Sequence, residues 1–195
     1  MTDISRLRGF VKELTHLVDR AGEDEPQLLG DGSALLTPLI NNDDWLPDAF
    51  CVPHPDKYQQ YLLYCDPHER FSVVSFVWGP GQTTPIHDHT VWGLVGVMRG
   101  AELCEEYDAQ NGTIAKGHSH QLEVGQIDKV SPTIGDVHRV TNALSDKTSL
   151  SIHVYGTNIG AVKRHTFAAD GTPSEFISGY SSEVVPNLWD LSRVG

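Results

Sequence analysis

Between residues 58 and 156 the chain is a succession of short segments rich in Val, Ile, Tyr, Phe and Trp. They read "YQQYLLYC", "RFSVVSFVWG", "VWGLVGVMRGAELCEEY", "HQLEVGQIDKV", "VHRVTNAL" and "TSLSIHVYG". Gly, Pro, Asn or Asp clusters separate most of them. Many short strands at such intervals predict an antiparallel sandwich or a closed barrel, since pairing of this kind leaves few free edges. Ahead of this region, Ile4, Leu7, Phe10, Val11, Leu14, Leu17 and Val18 recur at helical spacing. A turn is expected at "AGEDEPQ", then a second helical piece, "SALLTPLINNDDWL", with uncertain bounds because it carries Pro38. The tail, "GYSSEVVPNLWDLS", is expected to pack back on the surface. The expected organisation is one mainly β domain over 1–195, with a helical part at about 1–50 and a barrel at about 58–170.

With 195 residues the chain can bury a sizeable core. Its formal charge of -12 argues against nucleic acid or anionic membranes as partners. No apolar run is long enough to span a bilayer, and the N-terminus lacks the apolar centre of a signal peptide. Cys51, Cys65 and Cys104 are odd in number and form no CxxC, which fits free thiols in a reducing cytoplasm. The oligomeric state is not readable.

The stretch "PIHDH" holds His87 and His89 one residue apart. On a strand, positions i and i+2 share a face, so both imidazoles face the interior and Asp88 faces away. Two imidazoles converging in an apolar cavity are costly without a partner, and a metal removes that cost. "PTIGDVHRVTN" repeats the logic with a turn, then His138 and Asn142. Three neutral imidazoles with open coordination positions make a reactive site, not a closed structural one.

These motifs resemble those of the cupins. Gly81, His87, His89 and Gly100 match the first cupin motif, and Pro132, Gly135, His138 and Asn142 the second, with one extra residue between proline and glycine. The cupin glutamate should fall at Gly93 or Leu94, and no acid stands there. A three-histidine cupin (jelly-roll type β-barrel) is similar to the thiol dioxygenases, cysteine dioxygenase and 3-mercaptopropionate dioxygenase. Their Ser-x-His-x-Tyr segment is matched by Ser151, His153 and Tyr155. The resemblance implies one Fe(II) per chain on His87, His89 and His138, with a small thiol and O2 as partners and a sulfinate as product. It implies that Tyr155 donates its hydroxyl to the substrate or to oxygen in the site, with Ser151 and His153 holding it.

Mammalian-type cysteine dioxygenases carry a cysteine soon after His-x-His, crosslinked to the tyrosine. "TVWGLVGV" has none, so no thioether is expected. They also hold the substrate carboxylate with an arginine in a Tyr-x-Arg context. Here Tyr58 is followed by Gln60, which resembles bacterial glutamine-type enzymes that tend to prefer 3-mercaptopropionate. Arg164, nine residues after Tyr155, is the expected substitute clamp, because guanidinium binds carboxylate bidentately. L-cysteine and mercaptosuccinate are rival substrates. A non-catalytic or regulatory metal-binding cupin is the competing reading, since the fold hosts many functions. His118 and His120 are read as a solvated loop or strand start. His16, His54, His68 and His165 are read as structural or exposed, and Trp78 and Trp92 as core or cavity wall.

Overall fold

The computed structural model describes residues 2–110, 113–182, 184, 186 and 188. Helix α1 (Ser5–Ala21) buries every apolar residue of its repeat from Leu7 to Val18 and stops at Gly22, whose φ of 58° suits glycine. Helix α2 (Glu25–Ile40) begins earlier than expected, inside the stretch read as a turn. Asp24 accepts a hydrogen bond from the Gln27 N–H at 3.1 Å, and Pro26 occupies the first turn, where its missing N–H costs nothing. Asp, Glu and Pro thus start a helix here instead of interrupting the chain. Pro38 lies in the last turn, and the helix ends two residues later.

Eleven strands follow among the described residues: β1 (Gln59–Cys65), β2 (Ser72–Trp78), β3 (Ile86–His87), β4 (Gly93–Arg99), β5 (Ala101–Gln110), β6 (Thr113–Glu123), β7 (Ile127–Val130), β8 (His138–Asn142), β9 (Ser149–Tyr155), β10 (Arg164–Phe167) and β11 (Pro173–Phe176). They form two antiparallel sheets, ordered β1-β2-β9-β4-β7 and β11-β10-β3-β8-β5-β6. The long segment from Val91 to Tyr107 is split at Gly100, where φ is 77°. β3, β10 and β11 carry no apolar run and leave little trace in the sequence.

The first sheet is covered on both faces, so β2, β4 and β9 are buried throughout or nearly so. Alternation sorts their side chains. Val73, Val77, Leu94, Leu150, Ile152 and Val154 join the helices in one core. Val74, Phe76, Trp78 and Tyr155 turn to the gap between the sheets. α2 sits close on β4 because Gly96 has no side chain: a Cβ there would lie 3.0 Å from Ile40. The tail begins as expected, since the Ser181 N–H donates to the Gln60 carbonyl at 2.8 Å. Most of the tail beyond Ser182 lies outside the described residues. No described helix is long and apolar enough to cross a membrane.

Candidate metal centre and its cavity

His87, His89 and His138 meet between the sheets. Their ring centroids are 4.8–4.9 Å apart, and their candidate ligand nitrogens lie within 4.8 Å of one another. β3 brings His87 directly opposite His138 on β8. His89 arrives differently from the strand alternation expected of it. β3 ends at His87, and His89 precedes Thr90 at φ 62°. Asp136 sets its direction: the carboxylate accepts the His89 and Thr90 N–H groups at 3.0 and 2.8 Å, and Oδ1 also accepts from His89 Nδ1 at 3.0 Å.

Each ring therefore turns one nitrogen outward. His87 Nδ1 donates to the Pro85 carbonyl at 3.0 Å, and His138 Nδ1 lies 3.5 Å from Cys104 Sγ. The Nε2 atoms are left to converge, and that of His89 is buried with no partner. Burial pushes His87 down to about 3 and His138 well below its ordinary value, with neighbouring imidazoles adding to both shifts. The rings of His87 and His138 are thus neutral, as ligation requires. An orphaned buried nitrogen, neutral imidazoles and outward anchors fit a divalent metal. The described residues contribute no carboxylate to the triad.

Asp88 does face away, as expected. Its carboxylate accepts the His165 N–H at 2.7 Å and His165 Nδ1 at 2.8 Å, which ties β10 beside β3. Asn142 acts as a clamp. Its amide donates to the carbonyls of Trp78, Gly79 and Lys147 and its oxygen accepts from the Leu144 N–H, all within 3.1 Å. His118 and His120 lie in the body of β6, not in a loop, because β5 supplies a full-length partner strand. His120 Nε2 is 2.7 Å from Oδ2 of the half-buried Asp128 and Nδ1 is 3.8 Å from Glu106, while His118 stacks on the His120 ring.

Ser151, His153 and Tyr155 share the inner face of β9. Ser151 Oγ is 2.8 Å from His153 Nε2, and His153 Nδ1 is 2.8 Å from the Tyr155 hydroxyl. Burial holds the Tyr155 hydroxyl above its ordinary value, so it stays protonated. Its ring stacks on His89 at 5.4 Å. Gly93 lies against the same ring, where a Cβ would be 2.9 Å from Cδ1, and all three cysteines are free.

A cavity of about 700 Å³ reaches this centre and is lined in part by His87, Tyr155, Arg164, Gln60, Tyr58 and Phe76. Arg164 is 5% exposed, contrary to the ordinary surface position of arginine. Its Nη2 donates to Ser178 Oγ at 2.7 Å and its guanidinium lies 4.7 Å over the Phe176 ring. Nε has no partner, and no carboxylate among the described residues forms an ion pair with Arg164. Gln60 Nε2 donates to the Ser178 carbonyl at 3.4 Å, so both side chains meet the same segment. Tyr58 stacks on Trp78 and Phe76 as part of the wall. Asp136 and Ser178 were not visible as site residues in the sequence, because nothing in local spacing links them to their partners.

A sequence model of the family described as cysteine dioxygenase type I matches residues 41–167. The chain belongs to this family. It is a thiol dioxygenase family on the cupin fold, and the match covers the histidine triad, the Ser-His-Tyr strand and Arg164. Among solved structures, the chain is similar to a protein of Thermus thermophilus (18% identity over 56% of this chain and 92% of that one, TM-score 0.45). It is also similar to a cupin superfamily protein of Desulfitobacterium hafniense (10% identity, 60% and 94% coverage, TM-score 0.45). A third is an uncharacterized conserved protein with a double-stranded β-helix domain from Klebsiella pneumoniae (20% identity, 60% and 91% coverage, TM-score 0.44).

Proposed function

We propose that the protein is a non-heme Fe(II) thiol dioxygenase that converts a small thiol carboxylate, R–SH, and O2 into the sulfinate R–SO2H, with 3-mercaptopropionate as the preferred substrate. The observation that carries this reading is a cavity lined by both His87 of the histidine triad and a buried arginine that lacks a carboxylate partner among the described residues. Iron held by His87, His89 and His138 supplies the open positions and the one-electron chemistry through which O2 and a thiol can react. Three neutral ligands leave the full cation charge in place, which favours a substrate that ionises to thiolate.

The chain's own residues do the rest. Arg164 is a buried cation, and an uncompensated charge there is costly. A substrate carboxylate removes that cost through two parallel hydrogen bonds. Gln60, which also meets Ser178 and lines the cavity, adds a neutral donor. Tyr155 offers a protonated hydroxyl beside His89, held by His153 and Ser151. Phe76 and Tyr58 keep the wall apolar and limit water. 3-Mercaptopropionate lacks the amine through which cysteine can chelate, so it depends more on its carboxylate being held.

Oxygen uptake by iron-loaded protein over a panel of small thiols tests this reading. The expected result is consumption of one O2 per thiol, fastest with 3-mercaptopropionate and slower with L-cysteine. No uptake with any thiol carboxylate would refute the reading.

A further inference from the structure

Apart from the triad, three different donor types converge from three strands. Cys104 on β5 stands directly opposite His120 on β6, and Asp128 on β7 comes from the other sheet. One ligand atom of each lies within 4.8 Å of the other two. Cys104 is 2% exposed, and the side chains of His120 and Asp128 are 26% and 22% exposed. His120 Nε2 is 2.7 Å from Asp128 Oδ2, and Nδ1 on the far side of the ring is 3.8 Å from Glu106 Oε1. A cavity of about 230 Å³ is lined in part by Cys104, Glu106, Asp128 and His138. It shares no lining residue with the cavity that holds Arg164.

We propose that Cys104, His120 and Asp128 form a second metal site, which takes Zn²⁺. A thiolate, an imidazole and a carboxylate are all zinc donors, and three protein ligands leave a fourth position for water. The sulfur separates this site from the all-nitrogen triad and from sites for Mg²⁺ or Ca²⁺, because soft thiolate selects zinc. The smaller cavity gives an ion its route to the sulfur and the carboxylate. On binding, the Cys104 thiol loses its proton to solvent, and the ion takes the place of the hydrogen bond between His120 and Asp128. Glu106 then stands behind the His120 ring, where a carboxylate orients a metal-bound imidazole. The neighbouring group of Glu106, His118 and His120 is a poorer site, since it has no sulfur and both Glu106 and His118 are exposed.

The site adjoins the triad. Cys104 Sγ lies 3.5 Å from His138 Nδ1, the nitrogen that faces away from the triad. A metal-bound thiolate accepts a stronger hydrogen bond from that N–H than a thiol does, because charge strengthens the bond. An ion on Cys104 therefore makes His138 a more basic ligand. This coupling rests on the reading of His138 as an iron ligand, whereas the second site does not.

The test is a Co²⁺ titration of the full-length protein, read by the near-ultraviolet thiolate-to-cobalt charge-transfer band, which a triad without sulfur cannot give. The expected result is two Co²⁺ per chain, one of which raises the band, and bleaching of the band by Zn²⁺, which displaces Co²⁺ from such donors. His87→Ala should keep the band and lose the other equivalent. Cys104→Ser should lose the band and keep the triad equivalent, which also shows that this variant is folded. His120→Ala and Asp128→Asn should each weaken the band-forming Co²⁺ by more than the roughly tenfold that loss of an outer partner costs. No band at saturating Co²⁺ in the wild type would overturn the proposal. So would a band that survives Cys104→Ser, or one of unchanged affinity in both His120→Ala and Asp128→Asn. Absence of oxygen uptake with any thiol would instead overturn the dioxygenase reading, and the cobalt measurement does not depend on turnover.

Discussion

Asp136 Oδ1 lies 3.0 Å from His89 Nδ1, and the opposite nitrogen of that ring is buried without a partner. A carboxylate behind a histidine fixes its tautomer and aims its free lone pair. The side-chain hydrogen bond to His89 and the two backbone N–H groups help hold the Asp136 carboxyl below its ordinary value despite burial. Asp136→Asn should therefore weaken metal binding by about 10–100-fold while the chain stays folded, as measured by competition with a chelator. Unchanged affinity would remove Asp136 from the site.

Replacing His87, His89 or His138 by Ala should abolish stoichiometric iron and activity together. His118→Ala and His120→Ala should leave iron content unaltered, since neither belongs to the triad and the ion pairs of His120 run to Glu106 and Asp128. Metal analysis of purified variants checks both statements. Full iron retention in His138→Ala would sink the triad.

Tyr155→Phe removes one hydroxyl and leaves the ring stacked on His89. Iron should be retained and turnover should drop by about 100-fold, the lower range for loss of a positioned proton donor. The free cysteines and the glycine at the ring face also predict an intact mass with no two-hydrogen loss. A peptide in which Tyr155 is joined to a cysteine would contradict this.

The Ser-His-Tyr strand was legible because it depends on local spacing, whereas the three histidines were read from their match to two motifs, and His89 lies past the end of β3 instead of on it. Alternation alone assigns Ser151, His153 and Tyr155 to one face of β9 and Ile152 and Val154 to the other. Asp136 was not legible, since it reaches His89 across 47 positions of sequence. Nor was β3, whose two residues show no period. The start of α2 was missed for a different reason: Asp24, Glu25 and Pro26 suit both a turn and a helix start, and only the Asp24–Gln27 hydrogen bond distinguishes them.

Arg164→Ala should raise KM for 3-mercaptopropionate far more than for cysteamine, which has no carboxylate. Loss of a charged hydrogen-bond partner commonly costs about 2–5 kcal/mol. Steady-state kinetics with both thiols gives the comparison. An equal effect on the two, or none, would remove the clamp from the specificity argument while leaving the dioxygenase reading in place.

A stability test comes from the β1–β2 turn. Asp66 accepts from Arg70 Nε at 2.8 Å and Nη2 at 2.7 Å, and Arg70 Nη1 reaches Asp19 on α1 at 2.6 Å. The hydrogen bonds from Arg70 hold the Asp66 carboxyl below its ordinary value. A lowered carboxyl stabilises the fold above its unfolded-state value, and that gain fades as pH falls through the folded value. Asp66→Asn should cost about 2 kcal/mol at pH 7 in urea unfolding, with the gap narrowing below about pH 4. A gap independent of pH would contradict the assignment.

The family match ends at residue 167, yet Ser178, Tyr180 and Ser181 line the cavity, and Ser178 meets both Arg164 and Gln60. One wall of the pocket is thus contributed by a strap that crosses β1 after the barrel strands are complete. Changes in length or sequence there can widen, narrow or repolarise the entrance without moving a histidine. Selectivity can therefore drift between relatives while the reaction centre stays fixed, and exchanging residues 168–182 between two such chains would transplant the pocket's mouth onto an unaltered centre.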